Sequence, residues 1–262
     1  MTSLPFKTAL ITGASSGIGK TFAYELAKKG LNIVLTARSE EKLAEISKDL
    51  IAKYGVKVSF ITSDLSELSG STKIYEELQK QHIKIDLLIN NAGIGKWSNF
   101  LEENIDVYEK MLNLNIQSVV KLTHLLLPDM LKAKNGGIIN ISSTGALQPC
   151  PYIAVYCASK AFVLSFSEAI HGEYSQKGIK ITAICPGNTK TEFQKTANAN
   201  TTGMSYDSTE KVVIESIKAL LKNKTNKIIG FNNYLQSFLP RLLPRKTVVN
   251  IVKNLMNKKI NG

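Results

Sequence analysis

From near its start to about residue 230 the chain alternates short apolar runs with longer amphipathic stretches. Phe6 to Thr12, Leu31 to Ala37, Val56 to Thr62, Ile85 to Ile89, Gly137 to Ile141 and Ile179 to Cys185 are brief and rich in Ile, Val and Leu. Runs of that length predict strands buried on both faces. Between them apolar positions recur with a helical period. Phe22, Ala23, Leu26 and Ala27 follow the first run, and about Ile153 to Gln176 reads as a long helix. Such alternation predicts an α/β fold, a parallel sheet with helices on both faces. No repeat, low-complexity tract or linker rich in Gly or Pro interrupts it. At 262 residues the chain therefore reads as one domain, a core over about 6–230 with a C-terminal extension over about 231–262.

The turn after the first run is Gly13-Ala14-Ser15-Ser16-Gly17-Ile18-Gly19, leading straight into a helix. Glycines permit close backbone approach, and a helix N-terminus presents unpaired N–H groups to an anion, so the segment predicts a phosphate cradle. Gly19-Lys20-Thr21 imitates the end of a triphosphate P-loop. That motif needs a glycine five positions before Gly19, where Ala14 stands, so the P-loop reading fails by one residue. The second strand ends at Ala37-Arg38, with no carboxylate until Glu40. In a dinucleotide fold an acidic residue there would bind the ribose 2′-hydroxyl, whereas a guanidinium pairs with a 2′-phosphate. NADP(H) is expected rather than NAD(H).

Tyr156 and Lys160 lie four apart on the long predicted helix and so share a face. An ammonium beside a phenol favours the phenolate, bringing a group that titrates near pH ~10 closer to neutrality. Reduction of a carbonyl needs a positioned proton donor of this kind. Alone, the pair could equally be an amphipathic surface pair.

The motifs together carry a resemblance. Thr12 to Gly19, Asn90-Asn91-Ala92-Gly93, Asn115 within Leu114-Asn115-Ile116-Gln117-Ser118, Ser143 thirteen residues before Tyr156, and Pro186-Gly187 stand in order from Phe6 to about Gly230. In these the chain resembles the short-chain dehydrogenase/reductase family, NADP-preferring type. The resemblance implies a Rossmann-type doubly wound sheet and hydride transfer between NADP(H) and a hydrophobic ketone, aldehyde or alcohol. It implies Tyr156 as general acid or base and Lys160 as the group that lowers its pKa and binds the nicotinamide ribose. Ser143 would donate to the substrate oxygen, and Asn115 would hold a water linking Lys160 to solvent. Implied cofactor contacts are Gly13, Ser15, Ser16, Gly17, Ile18, Gly19, Arg38, Asp64, Asn91, Ala92, Gly93, Pro186, Gly187, Thr189 and Thr191, with Tyr156 and Lys160. Asp64 serves the adenine edge on this reading, or caps a helix beginning near Ser66. The helices bearing Asn115 and Tyr156 would pack against another subunit in a homodimer or homotetramer. A non-catalytic regulatory or scaffold protein on the same fold is the alternative, but a sensor has no need of a proton relay.

Expected pocket residues are Ile94, Trp97, Thr144, Leu147, Pro149, Tyr152 and the loop Asn188 to Met204, which reads as a mobile lid. The apolar lining favours a hydrophobic ketone, aldehyde or acyl chain; a 3-oxoacyl group, a steroid-like ketone and a xenobiotic carbonyl stay open. The three histidines are scattered, and no metal site is expected. Cys150, Cys157 and Cys185 contain no Cys-x-x-Cys; Cys185 reads as inert core, and Cys157 rides beside Tyr156 but points to another helical face. Odd cysteine usage fits a reducing cytoplasm. With the first strand starting by Phe6 and no apolar run of spanning length, a cytoplasmic protein is expected.

Charge changes the picture in one place. The last acidic residue is Glu215, and Lys218, Lys222, Lys224, Lys227, Arg241, Arg245, Lys246, Lys253, Lys258 and Lys259 follow it, ten cations against a net charge of +12 for the whole chain. Among them Tyr234, Leu235, Phe238, Leu239, Leu242 and Leu243, then Val248, Ile251, Val252 and Leu255, recur at helical spacing. The favoured expectation is that these basic amphipathic segments cover the pocket or a subunit interface. Peripheral contact with an anionic membrane is the alternative. Specific nucleic-acid binding is not expected, because a basic tail alone gives only salt-sensitive, non-specific affinity.

Overall fold

The computed structural model describes residues 4–260, apart from the side chain of Lys258. Seven strands form one parallel sheet: β1 (Thr8–Thr12), β2 (Asn32–Ala37), β3 (Val58–Thr62), β4 (Leu87–Asn90), β5 (Gly136–Ile141), β6 (Ile179–Cys185) and β7 (Asn226–Ile228). Their order across the sheet is β3-β2-β1-β4-β5-β6-β7. The fold is the doubly wound α/β arrangement expected. The first six strands begin and end within two residues of the predicted runs. β7 was not anticipated, because Lys227-Ile228-Ile229 is too short an apolar signal to separate from a loop.

Period-two geometry shows directly in the packing. Ala9 and Ile11 of β1, with Ile33 and Leu35 of β2, join one core cluster, while Leu10 and Val34 between them join another. On the first face lie α1 (Gly17–Ala27), α2 (Glu40–Tyr54) and a later helix, Thr209–Leu221, through Phe22, Leu43, Leu50, Val212 and Leu220. On the second lie α3 (Gly70–Lys80) and the long helix Ser118–Ala133, through Ile74, Leu78, Leu122 and Met130. In chain order after α3 come α4 (Ile105–Leu112), α5 (Ser118–Ala133), α6 (Ala154–Tyr174), α7 (Phe193–Thr196), α8 (Thr209–Leu221), α9 (Phe231–Gln236), α10 (Leu239–Leu242) and α11 (Arg245–Ile260). A π-helical turn, Asn113–Gln117, joins α4 to α5. Among the described residues no helix is long and apolar enough to cross a membrane.

Two features of this frame place the site. The sheet grows one way from β1 through β2 to β3, then restarts on the other side of β1 with β4. Connections leave in opposite directions there, so a crevice opens at the carboxyl ends of the strands. The second feature is a buried polar chain. Asn90 Nδ2 donates to Asn140 Oδ1 (2.8 Å), and Asn140 Nδ2 donates to Ser167 Oγ (2.8 Å), linking β4, β5 and α6. Buried amides must be paired, so α6 is held at a fixed height over the crevice.

Candidate active site

The glycine turn closes one side of the crevice. Gly13 has φ +64°, the left-handed conformation that side chains resist. Gly19 is required for space: a Cβ there would stand 2.3 Å from the Gly13 carbonyl oxygen. Asn91 laces this turn to the end of β4. Its Nδ2 donates to Thr12 O (2.9 Å), and Thr12 Oγ1 accepts from the backbone N–H of both Asn91 and Ala92 (2.9 Å each). Gly13, Ser15, Ser16, Gly17, Ile18, Asn91, Ala92 and Gly93 line the cleft, together with Pro186, Gly187, Thr189 and Thr191 from the β6 end. Gly19 does not; it lies behind the wall, where it lets α1 approach the turn.

Arg38 and Asp64 stand at one end of the cleft, Arg38 Nη1 3.9 Å from Asp64 Oδ2. Asp64 Oδ1 accepts from Ser66 N–H (2.9 Å) and Ser66 Oγ–H (2.7 Å). Burial works against its charge, but the Ser66 bonds and Arg38 hold the carboxyl below its ordinary range. The helix expected near Ser66 begins only at Gly70, so Asp64 closes a local turn and does not cap α3. Lys42, on the first turn of α2, lines the same end. Sequence reasoning missed it, although its signal was a cation one helical turn beyond Arg38.

At the centre, β5 delivers Ser142 and Ser143, and α6 delivers Tyr156 and Lys160 to the same cleft. Lys160 is only 4% exposed. Its Nζ donates to Ile141 O (2.9 Å) and lies 5.9 Å from the centroid of the Tyr156 ring. Ser142 Oγ donates to Lys160 O (2.7 Å), fixing this turn of α6 against β5. Ser143 Oγ accepts from Gly145 N–H (3.1 Å) and hydrogen-bonds the Tyr156 hydroxyl. Burial pulls the Lys160 ammonium down to about 8. Burial also pushes the Tyr156 phenol well above its ordinary value, with the Ser143 bond opposing it. In the protein alone the phenol is thus shifted upward by burial, opposite to the direction expected from the pair.

Asn115 is fully buried behind the wall, on the π-helical turn. Its Nδ2 donates to Ile94 O (2.9 Å) and Ser159 Oγ (3.0 Å), and its Oδ1 accepts from Ile94 N–H (3.0 Å). Asn115 Oδ1 and Lys160 Nζ converge on Gly93: each is 3.2 Å from where a Cβ on that glycine would lie. Cys157, on another face of α6 than Tyr156, packs toward Gly145. It lies in the cleft wall and hydrogen-bonds Cys150, which raises the Cys157 thiol pKa and lowers that of Cys150. The wall wraps around the first turn of α6, so the residue after Tyr156 still borders it.

The far end of the cleft is apolar. Ile94, Trp97 and Thr144 line it as predicted, as do Phe193 and Met204 of the loop. Phe193 packs its ring 5.4 Å from that of Tyr156, centroid to centroid. Leu147, Pro149 and Tyr152 do not line it; Tyr152 instead donates its hydroxyl proton to Asn257 Oδ1 of α11 (3.0 Å). Val252, Leu255 and Met256 of α11 complete this end, with Gln236 of α9. The helical spacing of the tail gave α11 an apolar face, but nothing local showed what that face meets. The whole cleft encloses about 760 Å³, inside the usual range for a ligand site.

A strand–glycine-turn–helix cradle, a crevice at a sheet switch point and a serine, tyrosine and lysine on one wall define a dinucleotide-dependent enzyme fold. The short chain dehydrogenase family model matches residues 7–202, and the chain belongs to that family. It is 35% identical over 262 residues to the very-long-chain 3-oxoacyl-CoA reductase of Anas platyrhynchos, covering 97% of this chain and 81% of that one. A short-chain dehydrogenase from Sphingobium yanoikuyae in complex with NADPH superposes with a TM-score of 0.80 at 28% identity, over 96% of this chain and 95% of its own. The bulky-bulky ketone specific alcohol dehydrogenase from Comamonas testosteroni does so with a TM-score of 0.78 at 28% identity, covering 92% and 93%.

Proposed function

We propose that this short-chain dehydrogenase reduces the 3-keto group of an acyl thioester with NADPH. The carrying observation is one continuous cleft: a phosphate cradle at one end, an apolar chamber closed by α11 at the other, and Ser143, Tyr156 and Lys160 between. The similarity to 3-oxoacyl-CoA reductases over nearly the whole chain supports an acyl chain in that chamber. Arg38 and Lys42, both cationic, are placed to hold a 2′-phosphate at the adenosine end. The cradle fits a pyrophosphate, since a side chain at Gly13 would press within 2.9 Å of Asn91 Nδ2 and disturb the wall. When bound, the dinucleotide supplies the hydride.

The chain's own residues manage the oxygen and the proton. Ser143 Oγ donates to the substrate oxygen, where negative charge develops. Burial keeps the Tyr156 phenol protonated at neutral pH, which is the state a proton donor for reduction must be in. Lys160, titrating near 8, can return a proton to Tyr156 at physiological pH. Asn115 holds the Ile94 backbone and turns Oδ1 toward Lys160 across Gly93, a suitable place for the water that links the ammonium to solvent. A regulatory or scaffold protein would gain nothing from a buried ammonium beside a phenol, which argues for the enzyme.

NADPH consumption with 3-oxoacyl-CoA thioesters of increasing length, beside simple ketones, tests the substrate. We expect kcat/KM to rise with acyl length and NADH to serve poorly. Turnover of simple ketones with none of any 3-oxoacyl thioester would contradict the substrate class and leave the redox chemistry standing.

A further inference from the structure

The cleft accounts for only one part of the basic C-terminal segment. Val252 and Met256 of α11 turn toward the chamber, and Met256 is buried. The apolar side chains of α9 and α10 do the opposite: Phe231 is 73% exposed and Leu242 77%, with Tyr234, Leu235 and Leu239 also exposed. Of the eighteen large apolar side chains exposed among the described residues, eight lie from Phe231 onward. Scattered apolar exposure is ordinary, but a concentration of this kind marks a contact surface.

We infer that the face formed by α9 and α10 docks on an anionic lipid bilayer. Its rim carries Arg241, Arg245 and Lys246, all exposed and none in an ion pair among the described residues. No carboxylate follows Glu215, and Glu215 is itself paired with Lys227 (3.1 Å). A second copy using this face would bring the same cations against each other, because a two-fold interface meets itself. An anionic membrane surface complements both halves of the face at once: apolar side chains enter the acyl boundary and the basic rim stays among the head groups. The short α9 and α10, joined by the edge-on contact of Tyr234 with Phe238 (5.1 Å between centroids), form a compact wedge suited to shallow insertion. Gln236 lines the cleft, so the wedge adjoins its mouth. The inference does not depend on the identity of the substrate.

Flotation of the full chain with phosphatidylcholine vesicles, with and without phosphatidylserine, is the test. We expect recruitment only when phosphatidylserine is present, weakening as salt is raised. Leu239→Ser with Leu242→Ser, or Arg241→Glu with Arg245→Glu, should each lower the bound fraction by at least roughly 10-fold. None of these residues lines the cleft, so NADPH oxidation in solution should stay at the wild-type rate. Absence of recruitment, or equal recruitment of both variants, overturns the inference. So does a dimer in sedimentation that Leu242→Ser dissociates while vesicles leave the protein in solution, since the face would then be a self-interface.

Discussion

At the scale of single residues, burial governs the site's electrostatics. Lys160 is all but enclosed, and its pKa falls from 10.5 to about 8. Between those pH values the unfolded chain binds more protons than the folded one, so stability rises with pH across that window, and below pH 8 the full penalty applies. Lys160→Met should therefore exceed wild type in stability at neutral pH by up to about 3 kcal/mol. Urea unfolding should show that gap closing toward pH 10.5; a gap independent of pH would contradict the burial account. At the other end of the cleft Arg38 is 74% exposed and answers to ligand charge. Arg38→Asp should weaken NADPH binding relative to NADH by on the order of 100-fold, the worth of a charged hydrogen bond and its reversal. Unchanged discrimination in fluorescence titrations would remove Arg38 from that role. Helical spacing put Tyr156 and Lys160 on one face, and only the family resemblance added Ser143 to them. Neither could reveal that Cys157 meets Cys150, because that contact depends on how residues 144–147 fold back on α6.

Among elements, the strands were the most legible part of the chain. Ile-, Val- and Leu-rich runs leave little freedom when both faces are covered, and β1, β2, β4, β5 and β6 fall where those runs lie. β7 escaped notice because three residues carry no period. The π-helical turn was invisible for another reason: Asn113–Gln117 has ordinary helical composition, and only the buried contacts of Asn115 with Ile94 and Ser159 show what the extra residue achieves. α11 was legible as an amphipathic helix, but the direction of its apolar face is a tertiary fact. That face now carries a prediction. Val252 is half-buried and borders the chamber. Val252→Trp should fill that end and lower kcat/KM for long acyl substrates roughly 10-fold while sparing short ones. Equal loss at every chain length would mean that α11 does not bound the acyl chain.

For the whole molecule, topology and charge divide the labour. A sheet that reverses its growth between β1 and β4 must open a crevice there, and most predicted site segments leave the carboxyl ends of its strands, while Asn115, Tyr156 and Lys160 reach the site from helical segments. Thr12, Ala37, Asn90, Ile141 and Cys185 end their strands at the same edge, which is why motifs spread over some 175 positions converge. The position of the site was therefore readable once alternation established the sheet. Charge follows a different map. Nearly all of the surplus lies beyond Glu215, away from the glycine cradle in sequence. Its consequence could not be read from composition, because the direction in which α9, α10 and α11 turn their apolar side chains is set by tertiary packing.

The central claim is that Tyr156 transfers the proton while the rest of the cleft binds and orients. Tyr156→Phe preserves the ring against Phe193 and removes only the hydroxyl. Rapid mixing of that variant with NADPH and a 3-oxoacyl-CoA, beside a titration of NADPH alone, measures both properties in one protein. The account predicts NADPH affinity within about 3-fold of wild type and turnover reduced by roughly 10²- to 10⁴-fold. Turnover at the wild-type rate would contradict it.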